Sequence, residues 1–188
     1  MSTRRHRQPK SKPPAPEPLG GRPRGPLARL GAATVAREAL AAAAAVATDH
    51  PRWIRLYVDG GTLGDPTAQL RKQRGGIYWS MRAEDPAAPG EPVLVRRQDS
   101  SGQYLTNNDA EWCALREALQ YIVAQCAARP VVIHSDSALV VHQFNGDWRA
   151  KVARHHRLRD ECRELATRCT FVVVRWVPRA VSVEKLGH

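Results

Sequence analysis

The sequence predicts an α/β fold: a mixed five-stranded sheet, with three strands in an antiparallel meander, two parallel strands added by crossovers, and helices on both faces. Three observations carry this. Three short runs rich in β-branched and aromatic residues follow one another between residues 53 and 97. After Asp109 the apolar period becomes helical. Two further apolar runs, at 130–134 and 171–177, are each reached through helical sequence.

The elements follow in order. Trp53-Ile54-Arg55-Leu56-Tyr57-Val58-Asp59 alternates like a strand, and Gly60-Gly61 is expected to break it. Residues 65–75 are polar and basic and read as a loop. Strands are expected over 76–82 and 92–97, with connections short enough for a meander. From Asp109 to Ala127, Ala110, Ala114, Ala118, Ile122 and Val123 recur at helical spacing beside Cys113 and Leu119, with Asn107 or Asn108 as cap. Pro130–His134 suits a buried strand. Ser137 can cap a short helix over 138–144. Residues 153–168 read as another helix with Leu158, Cys162 and Leu165 inward, and 171–177 is the last strand.

Composition narrows the partners. The 188 residues hold 29 Lys+Arg and 18 Asp+Glu, a formal net charge of +11. An excess of this size suits a polyanion, most often nucleic acid. No run of about 18 apolar residues exists, which excludes a helical membrane span. Residues 1–50 carry nine Lys+Arg against three Asp+Glu, so about half the excess lies in roughly a quarter of the chain. Residues 1–30 are basic and Pro-rich and read as a disordered arm. Residues 31–50 are Ala-rich and read as a connecting helix, and 51–188 form the main domain. Cys113, Cys126, Cys162 and Cys169 show no Cys-x-x-Cys pair and read as free thiols of a reducing compartment. No apolar signal region follows the basic start, so a cytoplasmic location is expected, with a mitochondrial one as the minor alternative.

Three acids stand where an open α/β sheet places its site. Asp59 ends the first strand, Asp136 ends the fourth, and Glu111 lies near the start of the long helix. If strands one and four are neighbours under that helix, the three converge. Such hard oxygen ligands need a cation, and Mg²⁺ or Mn²⁺ fits better than zinc because no Cys or His set accompanies them.

Several motifs resemble the ribonuclease HI family. Tyr57-Val58-Asp59-Gly60-Gly61 is similar to its first-strand motif, and Gly64-Asp65-Pro66 and Gly75-Gly76 to the turn and strand start that follow. Thr106-Asn107-Asn108-Asp109-Ala110-Glu111 resembles its T-N-N-x-x-E helix start. His134-Ser135-Asp136-Ser137 resembles its second aspartate motif, and Trp176-Val177-Pro178-Arg179 the entry to its last. The match covers about residues 53–186, in order, and is similar to the short bacterial and archaeal branch without a basic protrusion.

The resemblance implies a metal-dependent endonuclease that hydrolyses the RNA strand of RNA–DNA hybrids with two divalent ions. Asp59 would bridge both ions, with Glu111 and Asp136 as further ligands. Gly60, Gly61, Asn107 and Asn108 would lie against the RNA strand and its 2′-hydroxyls. Thr106 would hold a DNA phosphate, and Trp148 would sit against the DNA strand or serve only as a packing tryptophan. The fourth acid departs from the pattern. A two-residue gap aligns Glu184 with the family's aspartate; without it Leu186 stands there, and His188 is an alternative ligand. The family's final helix has no expected counterpart. The other reading is a weakened or inactive member that binds nucleic acid or serves a ribonucleoprotein. In either case a monomer is expected unless a larger assembly recruits it, with the arm contacting nucleic acid.

Overall fold

The computed structural model describes residues 52–63, 76–88, 90–101 and 105–187. The expected arm, the Ala-rich helix, the loop at 65–75 with Gly64-Asp65-Pro66 and Gly75, and His188 lie outside the described residues. Among the described residues there are five strands: β1 (Ile54–Thr62), β2 (Ile77–Glu84), β3 (Val93–Asp99), β4 (Pro130–Ser135) and β5 (Phe171–Trp176). The helices are α1 (Asn107–Gln125), α2 (Ala138–Asn145), α3 (Ala153–Thr167) and α4 (Arg179–Leu186).

The sheet order is β3-β2-β1-β4-β5. β1 pairs antiparallel with β2, β2 antiparallel with β3, β1 parallel with β4, and β4 parallel with β5. β1 is therefore the seam between the meander and the crossover half. Alternation along it sends Ile54, Leu56 and Val58 into one core with Met81, Trp112, Leu115, Ile122 and Ile133. The opposite face carries Tyr57 stacked on His134, with ring centroids 5.0 Å apart, and a smaller cluster of Trp53 and Val132. α4 covers part of that second face: Lys185 lies over the Tyr57 ring, and Arg82 of β2 donates to the Lys185 carbonyl.

Three expectations need correction. β1 does not break at Gly60-Gly61 but continues to Thr62. A Cβ on Gly60 would lie 2.3 Å from the Ala110 carbonyl carbon and 2.5 Å from the Glu111 nitrogen. The glycine is there because α1 crosses the strand at backbone contact. Gly60→Ala is expected to destabilise by about 2 kcal/mol, read by thermal denaturation, because neither backbone can yield as a side chain would.

The cap of α1 is Thr106 rather than Asn107 or Asn108. Thr106 and Asp109 form a reciprocal capping box, with the Thr106 amide donating to Asp109 Oδ2 at 2.7 Å. Asp109 is 1% exposed and also accepts from Arg154 Nε at 2.6 Å, with His155 Nε2 3.1 Å away. It ties α1 to α3. Burial raises the Asp109 pKa, but the bonds from Arg154 and Thr106 outweigh it, so its carboxyl stays below the usual range. Asp109→Asn is expected to cost about 2 kcal/mol. For a group with a lowered pKa, stability is present above its ordinary value of 3.8 and fades as pH falls through the lower folded one. The gap in Tm between wild type and Asp109→Asn therefore closes on acidification.

Third, a final helix is present. α4 starts after Pro178 and stops at Gly187, whose φ is 81°. Ser182 and Leu186, four residues apart, are buried on one side of it. Arg96 of β3 donates to the Leu186 carbonyl at 3.1 Å and Arg82 to that of Lys185 at 3.2 Å, so the sheet serves the helix's last acceptors.

Candidate metal centre and nucleic-acid interface

Register puts the first two acids side by side. Val58 of β1 pairs with Ser135 of β4, so the next residues, Asp59 and Asp136, stand side by side. Asp136 follows the end of β4, whereas Asp59, expected to end the first strand, lies inside β1, which stays paired with β2 as far as Thr62. Asp136 is held from β5: Trp176 Nε1 donates to its carbonyl at 3.0 Å, and the Val177 amide donates to Ser135. Ser137 then caps α2. Glu111 arrives from α1, lowered onto β1 by the absent side chain of Gly60.

Oxygen atoms of Asp59, Glu111 and Asp136 all lie within 4.8 Å of one another. Asp59 is 0% and Glu111 5% exposed. Burial, then the charges of Asp59 and Asp136, push the Glu111 pKa up to about 9, against weaker opposing effects from Arg179 and the Gly60 amide. Among the described residues Glu111 Oε2 has no hydrogen-bond partner, and it is buried. Three carboxyl groups held this close, one with an orphaned oxygen, favour a cation among them, and an all-oxygen set suits a hard divalent one. The residues present therefore fit Mg²⁺ or Mn²⁺.

Glu184 is not brought into this group. It is exposed on α4, near Tyr57 on the second face of the sheet. The group that reaches the acids from α4 is its first residue, Arg179. Arg179 Nη1 lies 2.7 Å from Asp59 Oδ1 and 3.0 Å from Asp136 Oδ2. Partial burial lowers the Arg179 pKa, but the two carboxylates outweigh it and raise it further above the arginine range. In the sequence Arg179 stands out only as the basic residue that closes Trp176-Val177-Pro178-Arg179, and its charge at the entry to the last motif is the signal for this contact.

The other candidates divide. Gly60 and Gly61 are buried in β1, and a Cβ on Gly61 would meet the Tyr78 ring at 2.5 Å. Thr106 is engaged in the cap. Asn107 is exposed, and Asn108 is half-buried beside a groove of about 620 Å³. Trp148, Arg149, Lys151 and His155 line the same groove. Trp148 is 49% exposed and stacks on His142, with ring centroids 4.5 Å apart, while His142 Nδ1 lies 3.0 Å from Asp147. It is a supported aromatic surface rather than a core residue.

A sequence profile described as reverse transcriptase-like matches residues 64–184. The chain belongs to this family, and its fold is that of ribonuclease H. Over 125 residues it is 31% identical to the bifunctional protein Rv2228c of Mycobacterium tuberculosis, covering 66% of this chain but only 31% of that protein. The solved N-terminal ribonuclease H domain of that protein superposes at a TM-score of 0.58 with 23% identity, covering 70% of this chain and 86% of the other. Ribonuclease H1 of the halophilic archaeon Halobacterium salinarum superposes at 0.56 with 28% identity, covering 71% and 91%. LC11 ribonuclease H1, solved with an RNA/DNA hybrid, shares the fold at 0.57 with 20% identity, covering 70% and 90%. This ribonuclease H-like chain thus spans less than a third of its curated mycobacterial relative.

Proposed function

We propose that this chain is a divalent-metal-dependent endonuclease that hydrolyses the RNA strand of RNA–DNA hybrids. The observation that carries the reading is the convergence of Asp59, Glu111 and Asp136 within 4.8 Å. The family and the 28% identity to an archaeal ribonuclease H1 support it. Asp59, Glu111 and Asp136 would hold the metal, two ions in the resembled scheme. When bound, these supply a lower pKa for the attacking water and charge neutralisation at the scissile phosphate.

The chain's own groups do the rest. Burial of Asp59 and Glu111 keeps bulk water from competing for their oxygens. The Gly60 amide donates to the Glu111 carboxylate and orients it. Trp148 offers a face for a sugar or base, and Arg149 and Lys151 beside it suit the phosphates of one strand. Residues 1–50, with a net charge of +6, would add affinity without sequence preference.

The test is cleavage of an end-labelled RNA–DNA hybrid with Mg²⁺ or Mn²⁺. RNA-strand products that require metal support the enzyme. Tight, salt-sensitive binding without cleavage under either ion supports the second reading, a nucleic-acid-binding member without the chemistry. The observation favouring that second reading is Arg179 standing across Asp59 and Asp136 while Glu184 lies elsewhere.

A further inference from the structure

We propose that Arg179 is the internal counter-cation of the acidic site, competing with divalent ions for Asp59 and Asp136 and so setting how tightly the site takes them. The inference rests on the reading that these acids bind a divalent cation. One guanidinium nitrogen, Nη1, serves both aspartates, at 2.7 Å and 3.0 Å. These two aspartates and Glu111 all approach within 4.8 Å. A cation bound among them would meet the same two oxygen sets that Arg179 engages.

The competition follows from charge and geometry. Without any cation, three carboxylates this close repel one another, and two of them are nearly inaccessible to water. Arg179 offsets part of that repulsion, so it stabilises the state that an arriving ion must leave. Its side chain is 54% exposed, so the guanidinium has solvent into which it can swing. Anchorage by Pro178, Val177 and the pinned far end of α4 keeps it close afterwards, as a tethered competitor at high local concentration.

Calorimetric titration of the full chain with MnCl₂, without nucleic acid, tests this on the wild type, Arg179→Gln and Arg179→Lys. Arg179→Gln is expected to bind Mn²⁺ about fivefold or more tighter and to melt lower than wild type when metal-free. Arg179→Lys, which offers a point charge in place of a fork, is expected to fall between the two. Tighter binding separates competition from simple structural damage, since damage weakens a metal site. If wild type binds Mn²⁺ and Arg179→Gln binds no tighter, the proposal is wrong and the metal centre stands. If Arg179→Gln does not fold, affinity of Arg179→Lys at or below wild type overturns the proposal. If neither wild type nor variants bind Mn²⁺, the metal-centre reading fails and this inference falls with it.

Discussion

Asp59→Asn is expected to lower RNA-strand cleavage by about 10³-fold or more, because a lost ligand at a catalytic cation removes several kcal/mol of charge stabilisation. The amide occupies the same volume, so packing at this fully buried position is retained. It cannot supply a negative oxygen. Asp59 shares the Arg179 contact with Asp136 and approaches both other acids within 4.8 Å, so its loss removes one of the three carboxylates gathered there. Hybrid binding should stay within about threefold of wild type, since phosphate contacts elsewhere carry most of the affinity. Single-turnover cleavage beside a binding titration reads both quantities. A residual rate above a tenth of wild type would remove Asp59 from the chemistry.

Glu111→Gln should separate stability from function in the opposite sense. The Glu111 pKa, ordinarily 4.5, is pushed up to about 9 by burial and by Asp59 and Asp136. A carboxyl raised in the folded chain takes up a proton on folding wherever the unfolded one is ionised. Each step up in pH from about 4.5 towards 9 therefore costs the metal-free protein stability. A neutral amide escapes that cost and can donate to the neighbouring carboxylates. At pH 7 the gain should be roughly 2–3 kcal/mol, or a rise in Tm of about 5 °C or more. With MnCl₂ added, the wild type should gain Tm and the variant little, so the two melting curves converge. A metal-free Glu111→Gln protein that melts lower than wild type at pH 8 would show that Glu111 is not under repulsion.

The strands were legible because each is a short apolar or alternating run, and the division into a meander and two strands reached by helical crossovers follows from what lies between them. The same legibility reached Asp136, since strand ends are visible in sequence, and Glu111, since helix starts are; Asp59 was reached through the glycine pair that follows it, although β1 runs on past both glycines. What escaped were facts of three-dimensional approach. Gly60 looks like punctuation in one dimension and is a point of contact with α1 in three. Thr106 and Asp109 form a Thr-x-x-acid box, readable in principle, but Asn107 and Asn108 between them are equally good caps by residue type. Trp112 and Leu115, both fully buried, fall outside the stripe drawn through Ala110, Ala114 and Ala118, because α1 meets the sheet on one side and α3 on the other. α4 is hard to see in the sequence because it is short and only two of its residues, Ser182 and Leu186, are buried, although Pro178 and Gly187 mark its ends. The placement of Glu184 away from the acids, and of Arg179 upon them, depends on the face α4 turns to the sheet, which eight residues do not specify.

That last helix is fastened at both ends: at its start through Arg179 to Asp59 and Asp136, and at its finish by Arg82 and Arg96 to its closing carbonyls. A rod held so has a phase as well as a position. Adding or removing one residue would turn its two ends relative to each other by roughly 100° and change their spacing by about 1.5 Å. With the far end clipped to β2 and β3, the whole mismatch would fall on Arg179. The segment between Pro178 and Gly187 should therefore accept exchanges of residue type far more readily than changes of length.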